Sequence, residues 1–115
     1  MPQEKILVGW TTVNSAAVAN KLAAGLVAAR LAACVQVDGP ITSHYSWNGK
    51  KERAKEWRLW VKSPTKHAKK LEAWLVAHHP YSTPQWLAVE AAAISQPYRK
   101  WVMENTRNPL SARRR

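Results

Sequence analysis

The stretch Leu31–Lys50, LAACVQVDGPITSHYSWNGK, decides how the rest of the chain is read. It begins where a helix of small residues ends, holds the only cysteine, Cys34, and alternates from Val35 to Trp47 except at Gly39-Pro40. Alternation at period two marks an extended run with two distinct faces. Asn48-Gly49 then supplies a tight hairpin turn, since both residues tolerate positive φ. Such a strand overshoots the usual length of about 5–6 residues. The surplus predicts an arm that touches other copies of the chain.

Outward from this arm the elements alternate. Lys5–Thr11 reads as a buried strand, with Ile6, Val8 and Trp10 on one side. Asn14 or Ser15 can cap a helix from Ala16 to about Arg30, with Val18, Leu22, Leu26 and Val27 as its apolar stripe. Beyond the turn, Glu56–Ser63 is the hairpin partner: Trp57, Leu59 and Val61 face a core, while Arg58, Trp60 and Lys62 face away. An apolar ring between two cations, Trp60 is expected either at a subunit interface or in cation–π stacking.

Ser63-Pro64 predicts a helix start, with Ser as cap and Pro in the first turn. Ala68, Leu71, Trp74, Leu75 and His78 form its stripe, and Pro80 ends it by holding His79 extended. Trp86–Glu90 reads as a strand, and Ser95 starts a last helix through Tyr98, Trp101 and Val102. We therefore expect one domain over residues 1–105 and a basic, disordered tail over 106–115. The order β-α-β, β-α-β with a tight central hairpin fits an α+β ferredoxin-like split βαβ sandwich. Its antiparallel sheet carries two helices on one face, and the bare opposite face predicts oligomerisation.

Composition sets the outer bounds. The chain has 115 residues, 46% of them hydrophobic, with seven Trp and no Phe, so Trp and Tyr carry the aromatic bulk. One cysteine rules out an internal disulfide and fits a reducing compartment. With no membrane-length apolar run and no signal-peptide pattern, a soluble, cytoplasmic protein is expected. The net charge of +11 falls in Lys50–Lys55, Lys62–Lys70 and Arg107–Arg115. Spread in this way and without a recognised module, it reads as a solvated basic surface rather than dedicated nucleic-acid binding.

Several segments together resemble one family. They are Thr11-Thr12; Leu26-Val27 followed by Arg30-Leu31-Ala32-Ala33-Cys34-Val35; and Ser43–Lys50, SHYSWNGK. Glu56 with Leu59 and Lys62, His79-Pro80-Tyr81 with Pro84, and Tyr98 with Trp101 complete the set. This ordered set resembles the CutA family of divalent-cation tolerance proteins. The resemblance implies a ferredoxin-like fold assembled as a trimer similar to the PII signalling proteins, with the hairpins reaching neighbouring subunits. It also implies a link to copper or other divalent cations and no enzymatic activity. Gln36 stands where the family usually has Asn. Gln85 stands where it usually has Glu, which removes a potential anionic ligand.

Against that frame the candidate chemistries are few. Thiolate and imidazole are suitable copper ligands, and Cys34 and His79 are the candidate metal ligands. No CxxC or HxxxH occurs, so a site would assemble from separated segments or from several subunits. The bland alternative makes Cys34 a small buried side chain, His78 a satisfied helix-face residue and His79 a loop-orienting one. No orienting third group accompanies a Cys–His pair, and no paired carboxylates or Gly-rich phosphate loop appear, so no catalytic residue is expected. Lys62, Tyr81 and Tyr45 are candidates for an inter-subunit cleft taking a small anionic ligand. Trp47, Trp60 and Trp101 are the expected trimer-interface residues.

Overall fold

In the computed structural model, residues 3–108 are described. The elements are β1 (Ile6–Val13), α1 (Ala16–Ala28), β2 (Cys34–Trp47), β3 (Lys50–Pro64), a 3-10 turn (Thr65–His67), α2 (Ala68–His78), β4 (Leu87–Glu90) and α3 (Gln96–Glu104). The strands form one sheet in the order β2-β3-β1-β4. Each neighbouring pair is antiparallel. This is the ferredoxin-like order, with the first and third strands in the middle.

Local chemistry explains most boundaries. The Ser15 hydroxyl accepts from the Val18 N–H at 3.3 Å and starts α1. Ser95 likewise accepts from the Tyr98 N–H at 3.4 Å and starts α3. Asn48 and Gly49 adopt φ of 51° and 75°, the two positive values that a two-residue hairpin turn requires. Trp47 pairs with Lys50 directly across that turn, so β3 begins six residues before the expected Glu56.

Other boundaries fall elsewhere for identifiable reasons. Ser63-Pro64, expected to open α2, instead ends β3, because its ladder to β1 runs on to the Ile6–Pro64 pair. The Ser63 hydroxyl donates to the Leu31 carbonyl at 2.6 Å rather than capping a helix, which ties β3 to the start of the arm. In α1 the buried stripe is Ala19, Leu22 and Leu26, and Val27 is exposed. On α2, Leu71 and Leu75 are buried while His78, expected in the core, lies in solvent and stacks on Trp74 at 3.9 Å.

The main core lies between α1, α2 and the sheet. Val13, Leu22, Leu26, Leu31, Leu59 and Leu71 fill it, with Trp57, Trp74 and Trp86 packed at its margin. Close approach is what these indoles exploit. A β-carbon on Gly25 would sit 2.7 Å from the Trp74 ring, so only glycine lets α2 settle this near α1. At Gly39-Pro40, β2 bulges, and a β-carbon on Gly39 would meet Trp57 at 2.6 Å.

The opposite face, expected to be bare, is partly covered. There α3 packs Val102 and Met103 against Ile6 and Ala33. The end of α1 holds it in place: Arg30, at φ 59°, donates from Nε to the Arg107 carbonyl and from Nη2 to the Glu104 carbonyl, at 2.8 and 3.1 Å. A cation at a helix C-terminus suits the helix dipole as well. Thr106 is fully buried and donates to the Val102 carbonyl at 2.7 Å, so packed structure continues past the boundary drawn at residue 105. Of the expected disordered tail, residues 109–115 lie outside the described residues.

Arg30 therefore carries two opposed terms. Arg30→Ala keeps the left-handed strain and loses both hydrogen bonds, and is expected to cost about 1–2 kcal/mol. Arg30→Gly should cost less, because glycine occupies positive φ freely. Denaturant midpoints at unchanged m-value would measure the order; equal losses would contradict it.

Candidate functional site

Beyond Val13 the sheet gives way to the arm, and here the loop after α2 crosses the end of β1. Pro80 follows His79, which leaves the helix with extended backbone (φ −75°, ψ 140°) and turns its ring inward to 8% exposure. The imidazole Nε2 lies 3.1 Å from both the Thr11 hydroxyl and the Thr12 carbonyl. The Tyr81 N–H donates to Nδ1 at 3.1 Å. An Nδ1 that accepts leaves the proton on Nε2, which donates to the Thr12 carbonyl; the ring is a neutral tautomer.

From this ring the network continues. The Tyr81 ring meets that of His79 edge-on at 4.9 Å, and its hydroxyl donates to Glu56 Oε2 at 2.8 Å. Glu56 is buried at the root of the arm. On the other side, the Thr12 hydroxyl donates to the Gln85 amide oxygen at 3.4 Å. Burial pushes the His79 pKa below its ordinary value, against the Thr12 hydrogen bond and the Glu56 charge that favour the cation. Burial, reinforced by the Glu56 carboxylate, pushes the Tyr81 phenol up, so it stays a donor at neutral pH.

The candidate residues do not gather into one site. Tyr81 joins this network, with Tyr45 close enough for its charge to raise the Tyr81 pKa. Lys62 lies six residues from Glu56 along β3, about 20 Å away. It pairs across strands with Cys34, and its ammonium donates to the Gln36 amide oxygen. Cys34 is half-buried near Tyr98, whose phenol is pushed up by burial first and by the neighbouring Cys34 second, on the face away from α1 and α2. Cys34 and His79 therefore occupy separate regions of one chain. Among the described residues, no group of three or more His, Cys, Asp or Glu side chains comes together as a metal cage.

The aromatic candidates are distributed as well. Trp60 meets Trp10 edge-on at 5.5 Å on the sheet face opposite α1 and α2, with Arg58 5.1 Å above its ring. Its indole N–H and the Arg58 guanidinium both donate to Asp38, which holds that carboxyl below the usual carboxylate range, chiefly through Arg58. Trp101 stacks with Tyr98 on α3 at 5.8 Å and stays 43% exposed; Tyr45 and Trp47 on the arm are 45% and 48% exposed. Thr11, Thr12 and Glu56 were visible only as matches to family motifs, and Gln85 only as a departure from one. No spacing rule joins them, because three separate segments supply them.

The architecture and these motifs can be set beside known proteins. The family model described as CutA1 divalent ion tolerance protein matches residues 7–105. This chain belongs to the CutA1 family. It is similar to a protein from Thermus thermophilus named divalent-cation tolerance protein CutA, 38% identical over 104 residues, which are 90% of this chain and 98% of that one. A Yersinia pestis relative of the same name is 37% identical over 96 residues, 84% of this chain and 81% of that one. The solved structure of CutA1 from Oryza sativa superposes with a TM-score of 0.88 at 28% identity, over 91% of this chain and 96% of that one. For another CutA1-family structure, described as the periplasmic divalent cation tolerance protein CutA from Archaeoglobus fulgidus, the TM-score is 0.84 at 29% identity, over 88% of this chain and 98% of that one. Among the described residues no helix is long and apolar enough to cross a membrane.

Proposed function

We propose that this CutA1-family protein serves divalent-cation tolerance as a cytoplasmic, non-enzymatic homotrimer that binds copper or a related cation weakly. The observation that carries the reading is the sheet face opposite α1 and α2. Beyond the reach of α3 it presents Trp10, Trp60, Leu87 and Val89, the last two more than half exposed. Exposed apolar surface of this kind, next to an arm bearing Tyr45 and Trp47, suits burial against further copies. A divalent ion is then cargo held between subunits, with Cys34 and His79 as the soft donors. His79 can ligate only by giving up a hydrogen bond, whereas Cys34 gives up at most a weak contact with Tyr98.

Sedimentation equilibrium tests the assembly, with an expected mass about three times the 13.0 kDa of one chain. A monomer at micromolar concentration would refute it. Calorimetric copper titration of the parent, Cys34→Ser and His79→Gln tests the ligands: loss of binding in Cys34→Ser is expected, and identical affinities in all three would remove both residues.

One observation favours a second reading, a small anionic ligand held in a cleft between subunits near Lys62, Tyr81 and Tyr45. Among the described residues the Lys62 ammonium has only the neutral Gln36 amide as partner and no carboxylate, so its charge is uncompensated among them. A thermal-shift screen of small anionic metabolites should give stabilisation that Lys62→Ala abolishes. Stabilisation that survives that substitution would argue against this cleft.

A further inference from the structure

The basic residues look scattered in sequence, but the period of two along β3 gathers three of them on one face. Residues directly opposite in an antiparallel pair share a face. In the arm the pairs Thr42–Lys55, His44–Arg53 and Ser46–Lys51 therefore lie on one side, and Ile41–Glu56, Ser43–Ala54, Tyr45–Glu52 and Trp47–Lys50 on the other. The first side holds Lys51, Arg53 and Lys55 in a row, opposite Ser46, His44 and Thr42, with no carboxylate among them. The carboxylates between the Gly39-Pro40 bulge and the end of the hairpin, Glu52 and Glu56, are on the second. All three cations are exposed. The ion pairs among the described residues use Lys5, Arg58 and Lys66 instead.

Three like charges in file without a carboxylate partner repel one another, and of the three only Lys51 makes a cross-strand bond among the described residues, a long one of 3.4 Å to the Ser46 hydroxyl. Their spacing has a use. Alternate residues on a strand repeat every ~7 Å, about two steps of rise along the axis of a DNA duplex at ~3.4 Å per phosphate of each strand. A two-stranded ribbon also fits the major groove of a DNA duplex, whose walls are phosphates. A membrane surface is the poorer match, because the arm's apolar residues, Ile41, Tyr45 and Trp47, lie on the opposite side and nothing on the cationic side can insert.

We infer that the Lys51–Arg53–Lys55 face of the arm binds the phosphate backbone of double-stranded DNA without reading its sequence. The test is fluorescence anisotropy of the full chain with a labelled, mixed-sequence 20-bp duplex between 50 and 200 mM salt. Removing three phosphate contacts by Lys51→Ala/Arg53→Ala/Lys55→Ala should lower the log–log salt slope by about 2–3 and weaken binding at 50 mM salt by at least about tenfold. The comparison variant Lys66→Ala/Lys69→Ala/Lys70→Ala removes the same charge from exposed positions near α2 and should leave the slope within about one unit of the parent. Thermal midpoints of both variants, expected near the parent's, establish that each is folded. Equal losses in the two variants would mean diffuse charge and overturn the inference. So would an absence of duplex binding, or arm-dependent binding to phosphatidylserine vesicles in its place.

Discussion

His79→Ala is expected to lower the stability of the folded chain by about 2–4 kcal/mol, a drop in Tm of roughly 8–16 °C. The imidazole is 8% exposed and bridges three groups, the Thr11 hydroxyl, the Thr12 carbonyl and the Tyr81 N–H. Truncation leaves the last two without their partner and opens a cavity beside Tyr81. His79→Gln, which can restore one of the bonds, should recover part of the loss. Calorimetric unfolding would decide it, and a loss under about 0.5 kcal/mol would mean that the ring is not structural.

The same ring sets a pH dependence. With its folded pKa depressed by burial, His79 stays neutral in the folded state while the unfolded chain takes up a proton near pH 6.5. The unfolded state therefore binds more protons just below that pH, and stability falls as pH drops from about 7 through the folded pKa. His67 adds to this in the same direction: burial, then the Lys66 and Lys70 charges, lower its pKa, against Glu4. His79→Gln should remove part of the acid sensitivity, and the double variant with His67→Gln most of it. An unchanged profile in the double variant would place the cause in other groups.

The second large effect is expected at Gly9. A β-carbon there would fall 2.2 Å from the outer edge of the Trp86 ring, well inside contact distance. Trp86 is half-buried against the main core and leads directly into β4, whose pairing sets Gly9 opposite Ala88. The ring cannot move without disturbing that short edge strand. Gly9→Ala should therefore cost about 1–3 kcal/mol. Trp86→Leu, destabilising alone, should relieve much of that cost, giving a favourable coupling of about 1 kcal/mol or more in a double-mutant cycle. Strict additivity would show that the two positions do not compete for the same space.

What was legible in the chain was legible because it was local. The arm followed from alternation and the Asn48-Gly49 turn, and the end of α2 from Pro80. The paired faces of β3 followed from the period of two. Misreadings arose where a residue's local preference met a distant partner. Ser63 has the chemistry of a helix cap, yet its hydroxyl serves the Leu31 carbonyl 32 residues away. His78 keeps helical spacing with Leu71 and Leu75, but the stacked Trp74 holds it at the rim, outside the core.

The candidate site divides in the same way. Periodicity and turn chemistry by themselves determined the strand and helix order, the arm and the antiparallel sandwich. The family motifs marked His79 and Tyr81, but no short-range rule tied them to Thr11, Thr12, Glu56 and Gln85. Only the tertiary structure decided that, because hydrogen bonds at ~3 Å depend on where three segments end rather than on their spacing in sequence. It likewise separated Cys34 and Lys62 from His79 along the sheet, laid α3 over one end of the face that a chain of this order leaves open, and set Ser46, His44 and Thr42 opposite Lys51, Arg53 and Lys55. Strand pairing converts sequence distance into direction, and direction determines which side chains can act together.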